Sequence, residues 1–344
     1  MFDLTVFIGN KNRYLASNYK IKNTIMFIAQ GFNPENKFWK YIVGSIAVIF
    51  VTTIGQIPFM AAIFYKTVVQ QKSVFPTDQN LMMKILDSNL TLFLLTLSFA
   101  FGLLGLYFVV RFIHNQTILS VTTARKQVDW NRIFFAFFLW ALITIISAAA
   151  SYFANPEMFV FNFNLVPFLI LAIIAIVMIP MQTSCEEYIF RGYLMQGFAN
   201  LSGNKWFPLI MTSAIFGLMH IANPEVDKMG YTILIYYIGT GLLLGIMTLM
   251  DDGLELSLGF HAANNLIGAL LVTADWTVFK THSILIDKSE PDIYSGILIP
   301  VFVVYPILLF IFSKKYNWNN WNEKLTGKIV TNQNEEINKI GENE

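Results

Sequence analysis

The sequence predicts an all-α fold, a polytopic transmembrane helix bundle of about eight spans. Two observations carry that expectation. Of 344 residues, 55% are hydrophobic and only 13% charged, 32 are Phe, and the mean hydropathy is +0.55, far from the composition of a soluble domain. The apolar residues also fall into runs of the length a helix needs to cross a bilayer, about 20 residues.

The first 40 residues carry Lys11, Arg13, Lys20, Lys22, Lys37 and Lys40 and read as a partly helical interfacial lead-in. The start MFDLTVFIGNKNRY lacks the basic start, apolar core and cleavage site of a signal peptide. Spans are predicted at 41–65, 90–112 and 132–153, an N-terminal membrane segment over 41–153. Arg125 and Lys126, flanked by Arg111 and Arg132, put the second connection in the cytoplasm by the positive-inside bias. The next connection, ANPEMFVFNFN, has no basic residue and belongs outside. A second membrane domain, 154–313, holds runs at 164–184, 206–221, 231–250, 254–273 and 292–313. Two of these are separated only by the acidic turn DDGLE, which falls inside, where acidic residues weigh little. Residues 314–344 are polar and Asn-rich after Lys314 and Lys315, which reads as a mobile cytoplasmic tail. Both termini are expected in the cytoplasm, and the membrane is expected to be a bacterial inner membrane. The net charge of +1 points to no charged partner, and no nucleic-acid motif is found. The single cysteine, Cys185, forbids an intrachain disulfide and reads as a small buried residue.

Ionisable groups inside spans are costly and mark function by default. They gather between residues 180 and 270: Glu186, Glu187 and Arg191 after Pro180, then His220, then His261. Neighbours on a helix point about 100° apart, so Glu186 and Glu187 must divide labour. Glu187 and Arg191, four apart with the acid first, suit an ion pair. Phe216 and His220 share one face, as do His261 and Asn265, and Gly259, Ala262, Ala263 and Gly268 allow the latter helix to pack closely. Taken singly, each string has a plain structural reading: an interfacial ion pair, a hydrogen-bonded imidazole, an interhelical clamp. Together, two of only four His residues lie in apolar spans that follow a diacidic stretch, and three helices supply what a site inside a bundle needs.

Peptide hydrolysis requires a base for water, a proton donor for the leaving amine and donors for the oxyanion. Glu186, His220, His261 and Asn265 supply those parts, with Glu187 and Arg191 holding the geometry around them. Glu186, His220 and His261 also resemble ligands for a zinc ion with an open position, so the cofactor expectation is either none or one divalent metal. A proton- or ion-coupled transporter is the rival function, but the inverted repeats it predicts are not found in the sequence.

At these residues the chain resembles the CAAX-protease and bacteriocin-processing (CPBP, or Abi) family of intramembrane endopeptidases. Its marks EExxxR, FxxxH and HxxxN stand here as Glu186-Glu187-Tyr-Ile-Phe-Arg191, Phe216-Gly-Leu-Met-His220 and His261-Ala-Ala-Asn-Asn265. The resemblance covers roughly residues 160–275 and implies an eight-helix bundle with a polar cavity open to the cytoplasm. It implies that Glu186 and His220 activate water and that His261 and Asn265 form the oxyanion site. The implied partners are the lipid bilayer and a membrane-associated peptide or protein substrate, unless this member is a catalytically idle immunity or scaffold protein. One geometric tension remains. At about 1.5 Å per residue, Glu186 lies some 30 Å along a helix that starts at Leu165, near its inner face, unless that helix runs on through 185–199 within the membrane.

Overall fold

The computed structural model describes residues 26–32 and 36–329; the rest of the lead-in and of the tail lie outside the described residues. Helices form at all eight predicted positions: α1 Phe38–Gln70, α2 Ser88–Ile113, α3 Trp130–Ala154, α4 Leu165–Ser202, α5 Trp206–Leu218, α6 Pro224–Asp251, α7 Glu255–Leu271 and α8 Tyr294–Tyr316. Six of them are long and apolar enough to cross a membrane. The exceptions are α5 with 13 residues and α7 with 17, both short of the span length of about 20 residues. A small sheet joins β1 Phe159–Phe161, β2 Val272–Ala274 and β3 Leu285–Asp287 in the order β1-β3-β2. β1 is antiparallel to β3, with Phe159 opposite Asp287, and β2 is parallel to it, with Val272 opposite Leu285.

The element that positions the site is α4. It packs against α2 and α7 along its first half and against α5 along its second. Its first turns face outward with Leu165, Val166, Leu169, Ile170, Ile173, Ile176 and Val177 exposed, whereas every residue from Met178 to Asn200 is buried or half-buried. Pro180 lies inside it without ending it. The helix widens to a π-helical stretch at Tyr188–Leu194, a local geometry that recurs at functional sites. The continuation resolves the tension in the sequence: EEYIFRGYLMQGFAN is sheathed by other helices, so the diacidic pair is not at a helix end in water.

Close approach elsewhere follows the small residues. A Cβ at Gly259 of α7 would run into the Ile133 carbonyl of α3, and Ala263 is fully covered. Gly268, by contrast, borders open space, so its expected packing role is not realised.

The DDGLE turn is compensated by cations. Arg125 bonds to Glu255 Oε2 at 3.1 Å and Asp251 Oδ2 at 2.9 Å, Arg132 to Asp251 Oδ1 at 2.5 Å, and Lys324 pairs with Asp252. The expected mobile tail is folded as far as Ile329. A short helix, α9 Trp321–Thr326, is followed by Ile329, whose amide bonds to the Gly203 carbonyl at 2.9 Å and whose side chain is buried. Its Asn-rich composition masks Trp318, whose indole donates to Asp251 Oδ1 at 3.2 Å, and the apolar residues Leu325 and Ile329.

Candidate functional site

The Glu187–Arg191 pair forms as its spacing predicts, at 2.9 Å, with both side chains fully shielded from solvent. An interfacial, hydrated pair is therefore excluded. Arg191 also donates to the Gly241 carbonyl of α6 at 3.2 Å and lies 4.3 Å over the Phe216 ring of α5, binding three helices at one point. The carboxylate Oε1 of Glu187 receives a second donor, the Nδ1–H of His261 at 2.8 Å.

His261 stands between the two acids. With Nδ1 on Glu187, its Nε2 faces Glu186 Oε2 at 3.7 Å. The two acids have different partners: Glu187 Oε1 is bound to Arg191 and His261, leaving its Oε2 unpartnered among the described residues, and Glu186 has a 13% exposed side chain. Glu186 Oε1 accepts from Gln182 at 2.6 Å. Its Oε2 has no hydrogen-bond partner among the described residues, which is the condition of a carboxylate oxygen available to a ligand or water.

His220 is placed differently from expectation. It lies in the turn after α5, not inside a helix, because the chain tightens there: the Met219 amide bonds back to Ile215, that of His220 to Gly217, and that of Asn223 to His220. The ring is held by Nδ1–H donating to the Phe216 carbonyl at 2.7 Å and by stacking on Tyr237 with centroids 4.3 Å apart. The neutral ring so held carries its lone pair on Nε2. Phe216 sits between the imidazoles, its centroid 4.8 Å from that of His220 and 6.0 Å from that of His261.

Asn265 of α7 reaches the same place through a residue that sequence reasoning did not single out. Its amide donates to Gln182 Oε1 at 3.0 Å, and Gln182 in turn donates to Glu186. Tyr237, Asn264 and Trp140 were also missed. Gln182 left a signal, a polar side chain four residues before Glu186 in an apolar run. The others did not, since an aromatic or an amide at those positions looks like ordinary helix packing.

The zinc alternative asks Glu186, His220 and His261 to aim three donors at one point. Among the described residues no group of three His, Cys, Asp or Glu side chains is so arranged, while the Nδ1–H bonds of the two imidazoles to Phe216 and Glu187 leave Nε2 of each as the nitrogen that would face an ion.

Comparison with known proteins covers this part of the chain. Residues 161–267 match the family described as type II CAAX prenyl endopeptidase Rce1-like. An uncharacterised protein of Bacillus subtilis (strain 168), YyaK, is 29% identical over 246 residues, which covers 71% of this chain and 81% of that protein. No solved structure matches the chain.

Proposed function

We propose that the protein is an intramembrane endopeptidase that hydrolyses a peptide bond of a membrane-associated protein or peptide, a reading supported by the match of residues 161–267 to the Rce1-like family. The observation that carries the proposal is the unpartnered Glu186 Oε2 lying 3.7 Å from His261 Nε2, with Glu187 fixing that ring from behind.

The chemistry follows from which atoms are spent and which are free. Glu186 Oε2 takes a proton from water while the lone pair of His220 Nε2 accepts the water's other hydrogen, and the hydroxide attacks the scissile carbonyl carbon. The oxyanion is met by the amide N–H of Asn265 that does not face Gln182. His261 donates from Nε2 only as an imidazolium, because its Nδ1–H is given to Glu187. The C–N bond then breaks, and the proton held by Glu186 passes to the leaving nitrogen, giving an amine and a carboxylic acid and returning Glu186 to its carboxylate. No step requires a metal ion. The bilayer enters as the medium that presents the substrate.

Cleavage of a membrane-peptide library by the wild type and Glu186→Gln, with and without chelator, tests this. The near-isosteric change is expected to lower kcat by roughly 10²- to 10⁴-fold, the size of a general-base contribution, and chelator is expected to change nothing. Equal activity of the two proteins removes Glu186 from the mechanism. Chelator-sensitive cleavage would mean that the imidazoles regroup around an ion.

A further inference from the structure

Beyond the four residues that meet the substrate in the proposed reaction, a single file of hydrogen bonds runs from α3 through α7 to α4. The Trp140 indole N–H donates to Asn264 Oδ1 at 3.1 Å, and the Asn264 amide donates to Asn265 Oδ1 at 3.0 Å. The Asn265 amide donates to Gln182 Oε1 at 3.0 Å, and the Gln182 amide donates to Glu186 Oε1 at 2.6 Å. Trp140 and Gln182 are buried, at 8% and 5% exposure.

Resting on the endopeptidase reading, we infer that Trp140, Asn264 and Gln182 are positioning residues that set which way the polar atoms of Asn265 and Glu186 face. A carboxamide is nearly symmetric in shape and can flip, exchanging its donor and acceptor ends. An indole nitrogen is a donor only. Trp140 therefore fixes Asn264 with its oxygen toward α3, which turns the Asn264 NH₂ toward Asn265. That in turn fixes the Asn265 oxygen inward and its NH₂ outward. Reversing any one amide would set two donors or two acceptors face to face in a site where Gln182 is buried and Asn264 and Asn265 are half-buried, at the cost of an unmade hydrogen bond.

The chain has two consequences at the reacting centre. Asn265 presents N–H rather than C=O to its surroundings, so it can meet an oxyanion instead of repelling it. Glu186 Oε1 is occupied by an incoming N–H, so a proton taken from water goes to Oε2, the oxygen on the His261 side. Both ends of the reaction, base and oxyanion donor, are thus oriented by one residue on a helix that carries neither.

Trp140→Phe removes the anchor's N–H while keeping an aromatic ring, and Asn264→Asp keeps size while replacing the donor toward Asn265 with an acceptor. Both are expected to lower kcat by roughly 10- to 100-fold, the scale of a misplaced reacting group, with KM within about two-fold. In an Asn265→Ala background, Trp140→Phe is expected to cost nothing more. NMR of isotope-labelled Asn and Gln side-chain amides supplies a readout independent of catalysis: the Asn265 and Gln182 amide resonances should move in Trp140→Phe while the fold persists. Wild-type kcat in both variants with unmoved amide resonances would overturn the inference, as would an undiminished Trp140→Phe loss in the Asn265→Ala background. A wild type that cleaves no peptide while the resonances still move supports the hydrogen-bond chain and sinks the endopeptidase reading instead.

Discussion

Glu187 carries two burdens at once, neutralising Arg191 and orienting His261 through the same oxygen. Removing one member of a buried ion pair leaves an uncompensated charge, which costs about 3–5 kcal/mol, whereas replacing both by apolar groups of similar size is often neutral. Glu187→Gln is therefore expected to lower the unfolding midpoint in detergent markedly, and Glu187→Leu with Arg191→Met to recover most of it. Neither variant is expected to cleave at the wild-type rate, because His261 has lost its carboxylate partner. Full stability of Glu187→Gln would show that the buried pair does not constrain the fold. This ion pair was legible in the sequence because its two members are four residues apart on one helix. The bonds of Trp140 to Asn264 and of Asn265 to Gln182 span 124 and 83 residues, and no local pattern announces a partner at that range. The location of His220 was misjudged by a turn for a related reason: an apolar run continues past Leu218, but the backbone bonds that stop the helix there do not depend on hydropathy.

At the scale of the element, α4 changes character halfway, from a lipid-length apolar face to a helix covered on all sides. Hydropathy located its start and could not locate its end, since Glu186, Glu187 and Arg191 look like the polar close of a span until other helices are seen to cover them. The turn between α6 and α7 holds by charge. Glu255 is fully buried and is reached by Arg125, while Asp251 is shared by Arg125, Arg132 and Trp318. Arg125→Met leaves Glu255 Oε2 and Asp251 Oδ2 without that cation, and by the argument used for buried pairs should cost about 3–5 kcal/mol, read as a drop in unfolding midpoint. An unchanged midpoint would mean that water replaces the guanidinium. The acidic turn is thus balanced by basic residues from the connection before α3 and from the tail, a pairing across 126 residues for Arg125 and Asp251.

The molecule as a whole is closed around the covered half of α4 by its own terminal segments. Phe27 donates its amide to Asp252, Lys324 pairs with the same carboxylate, and the Gln196 side chain of α4 bonds to the carbonyls of Phe27 and Ser120. Beside them His114 donates from Nδ1 to Asn36 at 3.0 Å and accepts at Nε2 from the Tyr193 hydroxyl at 2.9 Å. Burial, with Lys40 nearby, pushes its pKa down to about 4. The sign follows directly: between the unfolded value of about 6.5 and that lowered value the unfolded chain binds a proton that the folded one refuses, so stability falls as pH drops through the window. The unfolding midpoint should decline from pH about 6.5 toward about 4, and His114→Gln should flatten that decline; an unchanged slope would assign it to other groups. The fold class was legible because membrane insertion forces apolar runs, and Glu186, His220 and His261 stood out as candidates because ionisable groups in or beside such runs are conspicuous. The folded tail was not, because its few apolar anchors are scattered among asparagines. The claim on which the rest depends is that Glu186 and His220, from separate elements, act on one water molecule. The most direct measurement is the cleavage rate of Glu186→Gln, His220→Gln and the double variant on one peptide. Groups that serve one step are strongly non-additive, so the double variant is expected to be no slower than the slower single variant; losses that multiply, or a single variant at wild-type rate, would contradict it.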